Sequence, residues 1–274
     1  MALPVAAQAS PLELFVERTA MATADLRCGF FDSALRPALE AGRAQSRNAA
    51  LRAGASAQAL AEAEARGRRA GSAADCSAPD VLAAADHVRQ AFQGFTRLRQ
   101  AVYPGEAADW RADRSPSADV HLWRLVQTGQ FDQGRMVFGL AGRNGPPVLL
   151  ALASFDDGAV PYAARLVFRD EARADAPYLG VGGELSRRLP PRGAQVSFPA
   201  EARSRAGLDL RPKEMGAGWA FRFPAAATAR LARLDPREAV AVEFLFSSGA
   251  AVRRAYVEVG DFAPGQAFIQ LATR

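Results

Sequence analysis

Imidazole serves both metal binding and acid–base work, so the two histidines are the first place to look for chemistry. His87 falls in a helical stretch and His121 at the start of an alternating one. The two lie in different halves of the chain. A serine nucleophile would have to use one of them, and no G-x-S-x-G elbow is present. Lys213 has no S-x-x-K partner. "GVGGEL" (Gly180 to Leu185) lacks the third glycine of a dinucleotide loop. Asp156 and Asp157 are the best local carboxylate pair for glycoside hydrolysis, but with Gly158 they read as a hairpin turn. Glu243 and Glu258 alternate with strand residues and read as a solvated face. No catalytic residue, metal site or cofactor is expected, although a triad assembled from distant loops would leave no local pattern.

The two cysteines, Cys28 and Cys76, do carry a chemical expectation. They form no C-x-x-C, and no His or Cys sits near them at metal-ligand spacing. In an exported chain such a pair reads as a disulfide; in the cytosol it reads as two buried thiols. A bridge would close a loop of about 48 residues, worth roughly 4 kcal/mol in the chain-entropy model. The opening "MALPVAAQAS" bears on the choice. Ala7-Gln8-Ala9 fits an A-x-A cleavage site, so residues 1–9 read as a signal-peptide remnant; the alternative is an ordinary disordered terminus. The remnant and the cysteines point to the same oxidising compartment, the periplasm.

One segment stands apart from its surroundings, residues 184–215. It is long, proline-bearing and basic, with Arg187, Arg188, Arg192, Arg203, Arg205, Arg211 and Lys213. Long loops on a rigid scaffold often carry function, and arginines suit an acidic partner, a phosphate or an anionic glycan. The competing reading is a solvated insertion balanced by Glu184, Glu201, Asp209 and Glu214.

Across 274 residues the formal charge is +5, and Lys213 is the only lysine. Arginine and alanine richness of this kind also follows from a GC-rich genome. No aromatic residues interleave with a basic stripe, and no nucleic-acid motif appears, so nucleic-acid binding is not expected. No apolar run approaches the roughly 20 residues of a membrane span.

The hydrophobic period divides the elements into two groups. Residues 10–103 are helical, with Ser10-Pro11-Leu12-Glu13 a capping box and proline at the first helical position. A second helix starts at Asp32-Ser33 and stops near Gly54, and Ser56 caps a third, Ala-rich one that would bury little. A fourth starts at Ser77-Ala78-Pro79-Asp80. Val81, Ala84, Val88, Phe92, Phe95 and Val102 give it the strongest apolar face, ending at Tyr103-Pro104-Gly105. A Cys28–Cys76 bridge would pin the first helix to the last and leave the excursion 33–71 either packed in a plain bundle or projecting as a docking hairpin. Residues 104–118 read as a connector in which Trp110 packs onto one half. Residues 119–274 read as short strands with tight turns, an antiparallel β-sandwich. The short helix "AAATARLARLDPRE" interrupts the strands, and "DFAPGQAFIQLA" forms a terminal turn or helix covering an edge.

The final third runs strand, short helix, "AVAVEFLF", turn, "RRAYVEV", then "DFAPGQAFIQL". This order resembles the closing portion of the invasion-associated locus B proteins, exported β-sandwiches of alphaproteobacteria. The resemblance covers residues 119–274 and departs from the family in having no cysteine there. It implies an exported envelope protein with a non-catalytic sandwich.

The expected fold is therefore α+β, a disulfide-stapled helical bundle or hairpin followed by an antiparallel β-sandwich. The expected function is that of a non-enzymatic, periplasmic envelope accessory protein that binds a protein partner through 33–71 or the basic segment. The alternative is a sandwich that binds an anionic small molecule or glycan in a pocket lined by Trp123, Trp219 or Tyr162 with arginines. A filled core would count against that alternative.

Overall fold

The computed structural model describes residues 9–115, 122–142, 145–180, 183–247 and 250–271. The expected signal remnant and His121 fall outside these residues, apart from Ala9. The chain divides into two units, the first ending at Leu98 and the second beginning at Arg99. The fold is α+β, with helices first and an antiparallel two-sheet assembly after them.

In the first unit α1 spans Pro11–Cys28. The Ser10 Oγ accepts from the Glu13 amide at 3.2 Å, and Pro11 opens the helix. Gly29, at a φ of 65°, closes it by donating to the Asp25 carbonyl. A Cβ is strained in that left-handed conformation, which glycine adopts freely. Asp32 Oδ1 accepts from the amides of Ala34 and Leu35 and so starts α2 (Leu35–Arg52), as its position predicts. Ser56 caps α3 (Ala57–Ala73) through the Ala59 amide. The α4 helix (Pro79–Arg97) has no side-chain cap, because Ser77 turns to Asp75 instead. It ends six residues short of the expected stop; Val102 belongs to a strand.

The Cys28–Cys76 disulfide is formed, with the two Cα atoms 5.5 Å apart. The Ala-rich excursion does not project from it. Phe15 of α1 meets Ala50 and Leu51 of α2 and Leu60 and Ala63 of α3 in one buried cluster. Further along, Gly67 and Gly71 face α1 so closely that a Cβ on Gly67 would stand 2.7 Å from the Val16 carbonyl oxygen. The α3 helix looked poor in burial because its contact surface is made of small residues, which bring two backbones together instead of interdigitating large side chains. A second cluster joins Phe31, Leu35, Leu39 and Ala85. Buried Asp25 ties the α1–α2 corner by accepting from the Phe31 amide and from Arg36 Nε.

Among the described residues the second unit contains eleven strands: β1 (Gln100–Tyr103), β2 (Trp110–Asp113), β3 (Trp123–Phe131), β4 (Gly134–Ala141), β5 (Val148–Phe155), β6 (Ala163–Arg169), β7 (Gln195–Pro199), β8 (Ala202–Arg205), β9 (Trp219–Arg222), β10 (Ala239–Leu245) and β11 (Arg253–Glu258). One sheet runs β1-β2-β3-β4-β5-β9-β8 and the other β11-β10-β6-β7, with every pairing antiparallel. The stretch read as the end of a helix and a connector, 100–118, thus supplies two strands to the larger sheet. Trp110 is fully buried there, donating to the Val259 carbonyl at 2.9 Å and packing against Phe138 and Phe262. Phe131, Phe155, Phe221 and Phe244 fill the space between the sheets. Two helices, α5 (Ala225–Leu231) and α6 (Phe262–Gln270), fall where the sequence places them, and α6 packs over β1, β2 and β3.

Candidate functional site

The basic segment is built into the sandwich. Its first part, a 3-10 turn at Leu185–Arg188, lies against β10 and β11. Its middle forms β7 and β8, one edge strand of each sheet, with the crossing at Ala200 and Glu201. In its last part Ala206, Leu210 and Met215 pack with Trp123, Val137 and Leu152, and Trp123 Nε1 donates to the Leu210 carbonyl. The seven cations are consequently dispersed. Arg188 is buried, paired with Glu106 at 2.8 Å and donating to the Arg237 carbonyl. Arg187 is exposed beside Glu184. Arg203 and Arg205 stack on the Trp219 ring, 4.4 and 4.0 Å from its centroid. Arg211 is half-buried and Lys213 exposed. Arg192 alone of the seven lines a pocket with other charged groups.

The carboxylates also differ from expectation. Glu243 and Glu258 lie on the face of the four-stranded sheet away from the phenylalanine core, as strand alternation requires, but that face is covered. Glu258 is fully buried and accepts from the amides of Glu106, Ala107 and Ala108 at 2.7, 2.6 and 3.0 Å. Glu243 is held between Arg165 Nε at 2.6 Å and Arg254 Nε at 2.8 Å. Burial pushes the Glu243 carboxyl up, but the two guanidiniums outweigh it and hold the group below its ordinary value. Glu238 binds Arg169 through both oxygens and also accepts from the Asp235 amide. Asp156 and Asp157 sit in the expected turn. Arg253 and the Ala159 amide bring Asp157 down to about 2. His87 is exposed on α4, and no group of three or more metal-binding side chains occurs among the described residues.

A groove of about 1020 Å³ lies beside β11. One wall is the β3–β4 hairpin, with Thr128, Gln130 and Phe131; the other is the turn at Leu185 and Ser186; Tyr256 and Arg254 line it from β11. Local folding explains the position. β2 is short and pairs with β3 only at Leu125 and Val126, so the far half of β3 has no neighbour on that side. β11 ends its own sheet. The two strands approach without pairing, and Gln127 bridges them: its Oε1 accepts from the Glu258 amide at 2.8 Å. Amides along a strand alternate in direction, so those of Tyr256 and Arg254 face the same way as that of Glu258, toward the groove. Burial raises the Tyr256 hydroxyl above its ordinary value.

Trp123, Trp219 and Tyr162 do not gather around any such cavity. Trp123 is packed, Trp219 is capped by two arginines and Tyr162 is exposed. Sequence reasoning missed the groove because its walls come from segments more than fifty residues apart. The one available signal was the Gln-rich end of β3, "QTGQFDQG", polar where a core strand would be apolar.

No family model, curated protein or solved structure matches the chain.

Proposed function

We propose that the chain is a non-enzymatic, exported binding protein of the cell envelope whose sandwich holds an extended segment of a protein partner in the groove beside β11. The observation that carries this reading is the edge of β11, which has no paired strand beyond it and turns its backbone at Arg254 toward a polar groove. An edge of this kind accepts an added strand, backbone to backbone, and the groove walls then read its side chains. The disulfide supports export, since such bonds persist in oxidising compartments. The resemblance of the final third to invasion-associated locus B proteins agrees with an envelope location. No helix among the described residues is long and apolar enough to cross a membrane. The packing of α3 on α1 counts against a projecting hairpin, and moves the expected contact to the sandwich. A phenylalanine-filled interior counts against a ligand between the sheets.

The test is photo-cross-linking in the native envelope, with a reactive residue placed at Thr128 or Ser186 and, as a control, at Leu26 of α1, which is 84% exposed. The groove positions are expected to capture one and the same protein, and the control none. Capture of nothing at the groove, or of the same protein from all three, defeats the proposal.

A further inference from the structure

A second, smaller concavity of about 270 Å³ opens on the covered face of the four-stranded sheet, and Arg254 is the one residue it shares with the groove. Register explains its charge. Glu243 on β10 stands directly opposite Arg165 on β6 and Arg254 on β11, so one central carboxylate is flanked by a guanidinium on each side. Each arginine binds it through Nε. Arginine presents five donors in a planar fork, and engagement through Nε leaves the terminal nitrogens to reach elsewhere. Those of Arg165 and Arg254 have no hydrogen-bond partner among the described residues. Arg192, exposed at the start of a 3-10 turn (Arg192–Ala194), brings a third guanidinium to the same pocket, and Ser197 of β7 adds a hydroxyl. The lining holds three positive charges against one carboxylate, a surplus of two.

We infer that the pocket formed by Arg165, Arg192, Arg254 and Ser197 binds an oxyanion, a phosphoryl group or a carboxylate carried by a larger ligand. Glu243 is the anchor of the site. It fixes two long side chains in one orientation before any ligand arrives, so less rotamer entropy is lost on binding. A surface arginine pair without such an anchor is a general attraction for anions; this one is oriented. Charge-assisted hydrogen bonds from planar guanidiniums suit both kinds of oxyanion. The inference does not depend on the groove reading: the two share only Arg254, whose backbone serves the groove and whose side chain serves the pocket.

The experiment is calorimetric titration of the full chain with inorganic phosphate and, separately, with galacturonate, each at constant ionic strength set with chloride. Saturable binding of either one is expected, and which of them binds identifies the phosphoryl or the carboxylate source. Arg192→Gln removes one donor set without disturbing the Glu243 anchor, and is expected to weaken binding at least about tenfold. Arg187→Gln removes the same charge outside the pocket and is expected to leave binding unchanged. Failure of both anions to saturate overturns the inference. So does equal weakening by the two substitutions, which would reduce the effect to net charge. Arg192→Gln should leave the cross-links of the groove intact, so the two proposals can fail separately.

Discussion

The helical unit and the sandwich solve the same packing problem with opposite materials. In the helical unit small residues let backbones approach, and a covalent bond closes the ends: Gly67 and Gly71 lie on α1, and Cys28 is joined to Cys76. In the sandwich large aromatic side chains fill the interior, and buried carboxylates fasten the loops outside it. Glu238, Glu243 and Glu258 each hold elements distant in sequence. Alanine-rich helices offer little apolar area per residue, so close approach and a crosslink make up the difference. Strands offer more area but leave backbone groups in their loops, which ionised side chains then satisfy.

The comparison can be broken in order of expected effect. All three tryptophans lie in the sandwich, so their fluorescence reports that unit, while far-ultraviolet dichroism at the helix band, to which α5 and α6 add a smaller share, reports mainly the other. Glu238→Ala strands Arg169 as an uncompensated buried cation and is expected to cost the sandwich about 3–5 kcal/mol. Denaturant titration followed by fluorescence should show it, with the helical signal unmoved. Replacing both cysteines by serine is expected to cost the helical unit up to about 4 kcal/mol, with the shift confined to the dichroism. A common shift in both signals would show that the units do not unfold separately.

Smaller effects sharpen the contrast. Gly71→Ala forces a methyl group against the Ala20 carbonyl and the Thr23 side chain and should cost about 1–3 kcal/mol. The same replacement at Gly94, where nothing lies within 4 Å, should be neutral or stabilising. Ser56→Ala removes the α3 cap and should cost about 1 kcal/mol. The smallest effect is that of Asp157. Its folded-state value is depressed, so the bond to Arg253 stabilises fully above the ordinary carboxylate range and is lost as pH falls toward about 2. Carbon-detected titration should place the Asp157 midpoint near 2, and Arg253→Gln should move it back toward the ordinary value.

The same contrast decides what was legible in the sequence. Caps and turns are local, and Ser10, Asp32, Ser56 and the 156–158 turn act where their positions predict. Eight strands of the sandwich were visible in their alternation. β1, β2 and β8 were not: each is short and lies in a stretch with a competing reading, β1 where Val102 continued the apolar face of α4, β2 in the connector and β8 in the basic segment. Alternation put Glu243 and Glu258 on the correct face of the sheet but carried no information about what covers that face. The cover over Glu258 comes from residues 106–108, read as part of a connector, and Leu185–Arg188, read as part of a free basic loop, packs on β10 and β11. Of the oxyanion pocket, Arg192 and Ser197 belonged to the segment that looked unusual. Arg165 and Arg254 are single arginines in ordinary strands, and cross-strand register alone brings them to Glu243.

The passage from β7 to β8 makes Gln195–Arg205 a single thread sewn into the margin of both sheets. Tension on that thread is carried by two seams at once, so neither margin can fray while the other is intact. A proteolytic nick at Ala200–Glu201 would separate them. Each sheet would then carry a short outer strand held at one end only, and wear at the rim of this molecule would begin at that stitch.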